Sequence, residues 1–414
     1  MSKLNQDVLC LVLKELSSCK SQSWTREPLY SCLFVNKLWC ETAVPIIWSN
    51  PWKFIKDYGR LFDLIISFLS RDTRFLLNNQ GIDLFPTQHE HHLFDYLSYC
   101  RYMNFDCIEK SIRVGLDSSR YKKIEESRLR CIELEIYIMI VSKCSAVKSL
   151  DVMNLRPQIK HHIIGATTFL GGLRSLYCNL ISDPTFFDLL ANTCRTLEMI
   201  HIVCPSYCKL RNLGLARLIE VQNGLKWFVF VQHQAEAFRQ EIGDALIKQA
   251  NSLINFELTY LRKISLPSNI LSSFNNLQIL KIFEFFMLDT ISYDVAINLI
   301  KKTEGNLSKI LLYNTFNDEL AGEYLLENLL MKCHRLRKIF IQGLTIANIF
   351  DDLEAFFENW RGREPIILNF YVELCHKLNF EKLISVFEKY EEEGVLKRYD
   401  ALEDYGYFIE LLQN

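Results

Sequence analysis

No run of about five or six lysines and arginines occurs in the 414 residues, and the formal net charge is −2. That leaves no evident electrostatic attachment to nucleic acid or to an anionic membrane, so neither is expected as a partner. No apolar run approaches the roughly 20 residues a membrane-spanning helix needs. The fourteen cysteines include no C-x-x-C pair and follow no secretory leader, which fits buried thiols in a reducing compartment rather than a disulfide frame. A soluble intracellular protein, cytoplasmic or nuclear, is the expectation. Catalytic signatures are missing too: there is no P-loop, no G-x-G-x-x-G, no H-E-x-x-H and no G-x-S-x-G. Lone candidates such as His201 and Asp151 gain no partner from their spacing. The run His89-Glu90-His91-His92 has no second cluster and reads as solvated surface, and Cys204 and Cys208, flanking Pro205, read as buried thiols. No enzyme, cofactor or metal site is expected.

What is present is apolar surface: 49% of residues are hydrophobic and 23% charged, a globular composition. Its length points to two or three domains or one elongated repeat array. Four of the six tryptophans, Trp24, Trp39, Trp48 and Trp52, lie in the first 52 residues. Val8, Leu9, Val12, Leu13 and Leu16 recur at three and four residues, the stripe of a helix, with Ser2 or Asn5 as its N-cap. A serine-rich loop follows. Pro28 then sits where a first helical turn tolerates it, Leu29, Cys32, Leu33, Val35 and Trp39 keep roughly helical spacing, and Pro45 limits or kinks the last helix. Three short helices result, with more apolar surface than their mutual contacts cover.

The order leucine, acidic residue, two aliphatic pairs, leucine, loop, leucine, valine-x-x-x-tryptophan and a final tryptophan is similar to the F-box. That helical module docks substrate receptors onto the Skp-type adaptor of cullin ubiquitin ligases. Position by position, Leu4, Val8, Leu9, Val12, Leu13 and Leu16 match its first helix, and Leu29, Cys32, Val35, Trp39 and Trp48 its later apolar positions. The resemblance implies that these residues bind the adaptor. Two departures are Asn5, where the family usually has proline, and Asn36 in place of a frequent cysteine.

Beyond residue 50 the middle of the chain shows helical fragments, Leu61 to Leu69 and Leu93 to Tyr102, with Gly81 and Pro86 bracketing a turn. A recurring leucine-x-x-aliphatic-x-aliphatic phrase then dominates. It begins at Val147, Leu173, Leu197, Leu225, Leu253, Leu277, Leu307, Leu336 and, weakly, Pro365, at spacings of 24 to 30 residues. Within each phrase the last two aliphatics lie two apart, on one side of a strand. Amphipathic stretches between phrases, such as Ala296 to Lys302, Glu319 to Met331 and Phe350 to Trp360, are long enough for helices. A further helix from about Leu378 to Glu393 ends at Gly394, and a final strand follows.

One strand and one helix per unit resembles the leucine-rich repeat, with the usual asparagine or cysteine replaced by Leu155, Ile181 and Pro205. The expected fold is an α/β solenoid. Helices of an F-box-like module (1–50) precede a helical linker or leading repeats (51–130) and a leucine-rich-repeat-like horseshoe of parallel strands and outer helices (131–414). The strand positions facing away from the core are Ser149 and Asp151, Ser175 and Tyr177, Met199 and His201, Trp227 and Val229, Asn255 and Glu257, Ile279 and Lys281, Lys309 and Leu311, Lys338 and Phe340. Of these, Tyr177, Met199, Trp227, Val229 and Ile279 are more apolar than solubility requires and form the candidate substrate surface. The expected function is substrate recognition in a cullin-type (SCF) ubiquitin ligase, directing proteins to degradation. Its partners would be a Skp-type adaptor, through it a cullin, and a protein substrate. The alternative is a non-catalytic repeat scaffold whose N-terminal helices are a cap.

Overall fold

The computed structural model describes residues 5–18, 28–54, 57–82, 84, 92–117, 125–154, 167–180, 184–205, 212–232, 240–260, 270, 273–284, 300–303, 305–313, 327–342, 349–371 and 377–402. The chain divides into two compact units, Met1–Cys178 with Asn192–Thr196, and Asn179–Ala191 with Leu197–Asn414.

In the first unit, helix α1 (Gln6–Ser18) starts at Asn5. The Asn5 side-chain oxygen accepts from the Asp7 N–H at 3.1 Å, which pairs an otherwise unpaired first-turn donor, and its carbonyl accepts the first helical bond, from the Leu9 N–H at 2.9 Å. Helix α2 (Pro28–Ser31) opens on Pro28 and runs into a 3₁₀ turn, Cys32–Phe34. Helix α3 (Lys37–Ser49) is capped by Asn36, whose Oδ1 accepts from the Trp39 N–H at 3.0 Å. The apolar spacing from Leu29 to Trp39 therefore crosses a helix boundary, and Pro45 is carried inside α3 instead of ending it. Leu9, Leu13, Leu29, Cys32, Ala43 and Ile47 form a core beneath these helices.

Helices α4 (Tyr58–Ser67) and α5 (Arg71–Asn79) follow, each begun by a side-chain cap from Asp57 and Ser70. The stretch expected as a helix from Leu93 to Tyr102 is instead a 3₁₀ turn, Tyr96–Tyr99, leading into strand β1 (Tyr102–Asn104). Helices α6 (Phe105–Leu116) and α7 (Glu126–Lys143) separate β1 from β2 (Ser149–Asp151), and β3 (Ser175–Asn179) lies next in order. The three strands pair in parallel, with Met103, Leu150 and Leu176 in register and fully buried.

The second unit carries β4 (Met199–Cys204), β5 (Trp227–Gln232), β6 (Asn255–Tyr260) and β7 (Ile279–Glu284). Strands β8 (Lys309–Tyr313), β9 (Lys338–Gln342), β10 (Ile366–Tyr371) and β11 (Leu396–Leu402) complete it. All eight pair in parallel and in chain order. Every one of the nine sequence phrases supplies a strand, β2 to β10, and β11 is the expected final strand. Described helices between them include Pro184–Thr193, Leu213–Glu220, Gln240–Lys248 and Ile349–Trp360, with Lys377–Glu392 before β11. Gly394 follows that last helix at φ 73°, the left-handed turn glycine adopts without a Cβ clash. Of the other helical expectations, only residues 300–302 and 327–331 lie among the described residues, and those are helical. The alternation of parallel strands with helices is the α/β arrangement expected of a solenoid.

Buried row residues show why the register is fixed. Ile200, Phe228, Phe256, Leu280, Ile310, Ile339 and Leu368 are register neighbours on successive strands and all lie in the core. A slip of one residue would turn this row to the other face. Buried amide side chains bind backbone groups around the strands. Gln222 accepts from the Leu197 N–H at 2.9 Å, and Gln249 from the Leu225 N–H at 3.5 Å. Gln249 also donates to the carbonyls of Glu220 (3.2 Å) and Gln222 (3.0 Å), while Asn212 donates to Leu180 O (3.1 Å). These side chains are buried, so each loss strands backbone groups away from water. Gln249→Ala is expected to cost about 2 kcal/mol, read as a lower midpoint in denaturant unfolding; an unchanged midpoint would remove Gln249 from the loop-holding role.

Candidate functional site

Two surfaces come into consideration, one on each unit. On the first, α1 is apolar on two sides. Leu9, Leu13 and Leu16 turn inward, while Val8, Leu11 and Val12, spaced i, i+3 and i+4, form a second stripe that is exposed, Leu11 at 63%. In the turn between α2 and α3, Phe34 is 86% exposed and Val35 is exposed beside it. A phenylalanine left that open gains nothing from the fold that holds it, and exposed apolar groups of this kind mark interaction sites.

The matched positions therefore separate into two roles. Val8, Val12 and Val35 are exposed and available to a partner. Leu9, Leu13, Leu29 and Cys32 are buried in the module's own core and hold its helices together. Leu16, Trp39 and Trp48 are half-buried against that core, and Trp48 also packs on Phe68 (ring centroids 6.3 Å) and Tyr96 (4.7 Å). Leu4 lies outside the described residues. Leu11 and Phe34 were not among the matched positions, although they are the most exposed apolar residues of the module. An amphipathic reading of α1 with two stripes would have found Leu11; nothing in the spacing singles out Phe34.

On the second unit, the face opposite the core is ordered as the sequence phrases require. Met199, Trp227, Asn255, Ile279, Lys309 and Lys338 are successive register partners, and His201, Val229, Glu257, Lys281, Leu311 and Phe340 form the next row. Trp227 is 42% exposed, and Met199 and Ile279 are half-buried. Val229 is only 6% exposed, so it is not part of an accessible surface. It lies mid-strand, in register between His201 and Glu257. Tyr177 belongs to the first unit, half-buried near Tyr102 (6.2 Å, edge to face). Beside it, Asp151 accepts from Asn104 Nδ2 at 3.1 Å, and burial raises the Asp151 carboxyl above its usual range.

Charge on the second unit's face is uneven. Glu257 and Lys281 pair at 2.9 Å with side chains only 21% and 20% exposed. Lys309 is held below the ordinary lysine range, first by burial and then by the ammonium groups of Lys338 and Lys281, with Glu257 opposing. Burial likewise lowers His201, against the pull of Glu257.

Of the histidine run, His92 alone lies among the described residues. It contacts Ser67 Oγ at 3.1 Å and packs on the Phe68 ring at 4.4 Å, a structural setting. Cys204 is buried, and Cys208 lies outside the described residues. Among the described residues no helix is long and apolar enough to cross a membrane, and no group of three or more His, Cys, Asp or Glu is placed to hold a metal ion. No family model matches the sequence, and no curated protein matches it.

Proposed function

We propose that the chain is the substrate-recognition subunit of a cullin-type ubiquitin ligase. The N-terminal helices dock on a Skp-type adaptor and the strand–helix repeats hold a protein substrate. The observation that carries this reading is the exposed apolar set of Val8, Leu11, Val12, Phe34 and Val35 on a module that already has its own core. A capping module needs one apolar face, turned to the array it covers, and a polar outer one; this module keeps a second apolar stripe in water. The F-box-like sequence order supplies the identity of the partner.

The mechanism is positioning. A receptor of this kind raises the effective concentration of substrate lysines near a charged conjugating enzyme, and the chain itself performs no chemistry. The Asn5 departure is compatible with docking, because Asn5 caps α1 and so starts the helix that carries the open stripe. The test is co-elution of the purified chain with a purified Skp-type adaptor. An intact chain that elutes separately would leave the scaffold reading in its place.

A further inference from the structure

On the first unit, β1 to β3 turn six side chains to the face opposite their buried row of Met103, Leu150 and Leu176. Tyr102, Ser149 and Ser175 are register neighbours, and Asn104, Asp151 and Tyr177 form the next row. All six are half-buried, and none is a cation. One Asp151 oxygen accepts from Asn104 Nδ2 and the other from the Met153 N–H, both at 3.1 Å, and Asp151 has no ion pair among the described residues. Each oxygen keeps a second lone pair. Burial raises the Asp151 carboxyl against the opposing Met153 N–H, and the charge of Asp106 raises it further, with no cation to offset either. Lys110 is engaged elsewhere, by Asp106 at 2.6 Å. Asp151 is therefore a carboxylate that water screens poorly and that lacks a counter-charge. Two strand spacings, about 10 Å, separate β1 from β3, yet the Tyr102 and Tyr177 rings meet edge to face at 6.2 Å. They lean together across β2, the strand that carries Asp151. Asn104 holds this arrangement: its Oδ1 accepts from the Cys107 N–H at 2.9 Å while its amide reaches Asp151 and the Tyr102 phenol.

We propose that Asp151, with the Tyr102 ring and the hydroxyls of Ser149 and Ser175, takes an arginine side chain presented by a partner protein. This rests on the reading of the repeats as the part of the chain that holds a protein. The guanidinium pairs with the lone carboxylate, its plane lies on the tyrosine ring, and its remaining N–H groups donate to the two serine oxygens, which make no hydrogen bond among the described residues. Arginine is favoured over lysine because a planar, weakly hydrated fork of five donors suits a carboxylate, a ring and two hydroxyls together, whereas an ammonium has three donors and gives up more hydration. A nucleic-acid backbone is disfavoured, since its phosphates would meet the unpaired carboxylate.

The probe is a displayed library of random decapeptides, selected on the immobilised 414-residue chain in the absence of adaptor. Arginine is expected to be enriched at one position of the selected peptides, and the enrichment is expected to vanish when selection is repeated on Asp151→Asn, which keeps the shape and the bond from Asn104. The best selected peptide, labelled with fluorescein, is then titrated by anisotropy. Binding should weaken at least about tenfold when its arginine is replaced by citrulline, which keeps the shape without the charge, and about as much in Asp151→Asn. Ser175→Val, which leaves Asp151 untouched, must weaken binding in the same direction, so the location of the site is tested even where Asp151→Asn fails to fold. No enrichment of arginine over the input library, equal binding of the citrulline peptide, equal enrichment of lysine, or indifference to Asp151→Asn in a folded chain would overturn the proposal. Adaptor co-elution is read separately: arginine-peptide binding that persists when wild-type adaptor binding fails supports this site and defeats the receptor reading alone, while adaptor binding without arginine selection defeats this site alone.

Discussion

Val12→Asp combined with Phe34→Asp is expected to weaken adaptor binding by more than about 100-fold, because each removes an apolar anchor of the size that dominates interface energetics. Thermal and denaturant unfolding of the same variant should stay within about 0.5 kcal/mol of the parent chain, the usual range for exposed positions. The two readouts must be taken together. Phe34 is 86% and Val12 45% exposed in the free protein, so little packing is lost when they are replaced. Leu9→Asp gives the contrasting outcome. Leu9 is fully buried at the centre of the module core, and an unpaired carboxylate there costs about 4 kcal/mol or more. Binding lost with Leu9→Asp would therefore report unfolding of the helices and not the docking surface. Wild-type affinity in the Val12→Asp, Phe34→Asp variant would remove the exposed stripe from any docking role.

Phe228→Ala is expected to be the most destabilising single change in the second unit, by about 3 to 5 kcal/mol. Phe228 is fully buried and stacks on Phe256 (centroids 5.9 Å, planes 13° apart) and Phe230 (6.4 Å, 12°), and Phe256 in turn meets Phe274 at 5.2 Å. The cavity left by the ring cannot be filled by the strands on either side without losing their own register. In a repeat array each unit is stabilised by its neighbours, so the loss should spread. Hydrogen exchange should show amides of β4 to β6 losing protection before those of β10 and β11. The neighbouring Trp227→Ala, one residue earlier and on the opposite face, should cost less than about 1 kcal/mol. Comparable destabilisation by the two substitutions would contradict the assignment of faces.

Much of the second unit was legible because its signal is repetitive. Each phrase carries buried leucine or aliphatic side chains at fixed offsets, and the parity that puts Ile200 and Ile202 in the core puts His201 outside it. The first strand, β1, was missed for a physical reason. Cys100, Met103 and Phe105 occupy the places held by Val147, Leu150 and Val152 in the next repeat and are just as buried. Cys100 stands where the phrase has leucine or valine, and two helices, α6 and α7, stretch the interval to that next repeat. Leu93 to Tyr102 was misread because a few apolar residues before a strand mimic helical spacing over one turn.

The candidate sites were less legible than the fold. Sequence spacing tells which residues share a face but not how far neighbours cover them. Val229 shares the face of Trp227 and is nevertheless buried, and Leu311 and Phe340 in the same row are buried with it. In the N-terminal module the matched positions mixed residues that build the helices with residues the helices display. Leu13 and Val12 are adjacent in sequence and differ in exposure from none to 45%. The lysine pairing of the second face became visible only when register placed Lys309 beside Lys338.

The most direct test of the account mixes the purified 414-residue chain with a purified Skp-type adaptor and measures the mass of the eluting species by light scattering. The account predicts a one-to-one complex that disappears for Val12→Asp with Phe34→Asp while that variant remains folded. A wild-type chain that elutes at its own mass, with free adaptor behind it, would contradict the central claim.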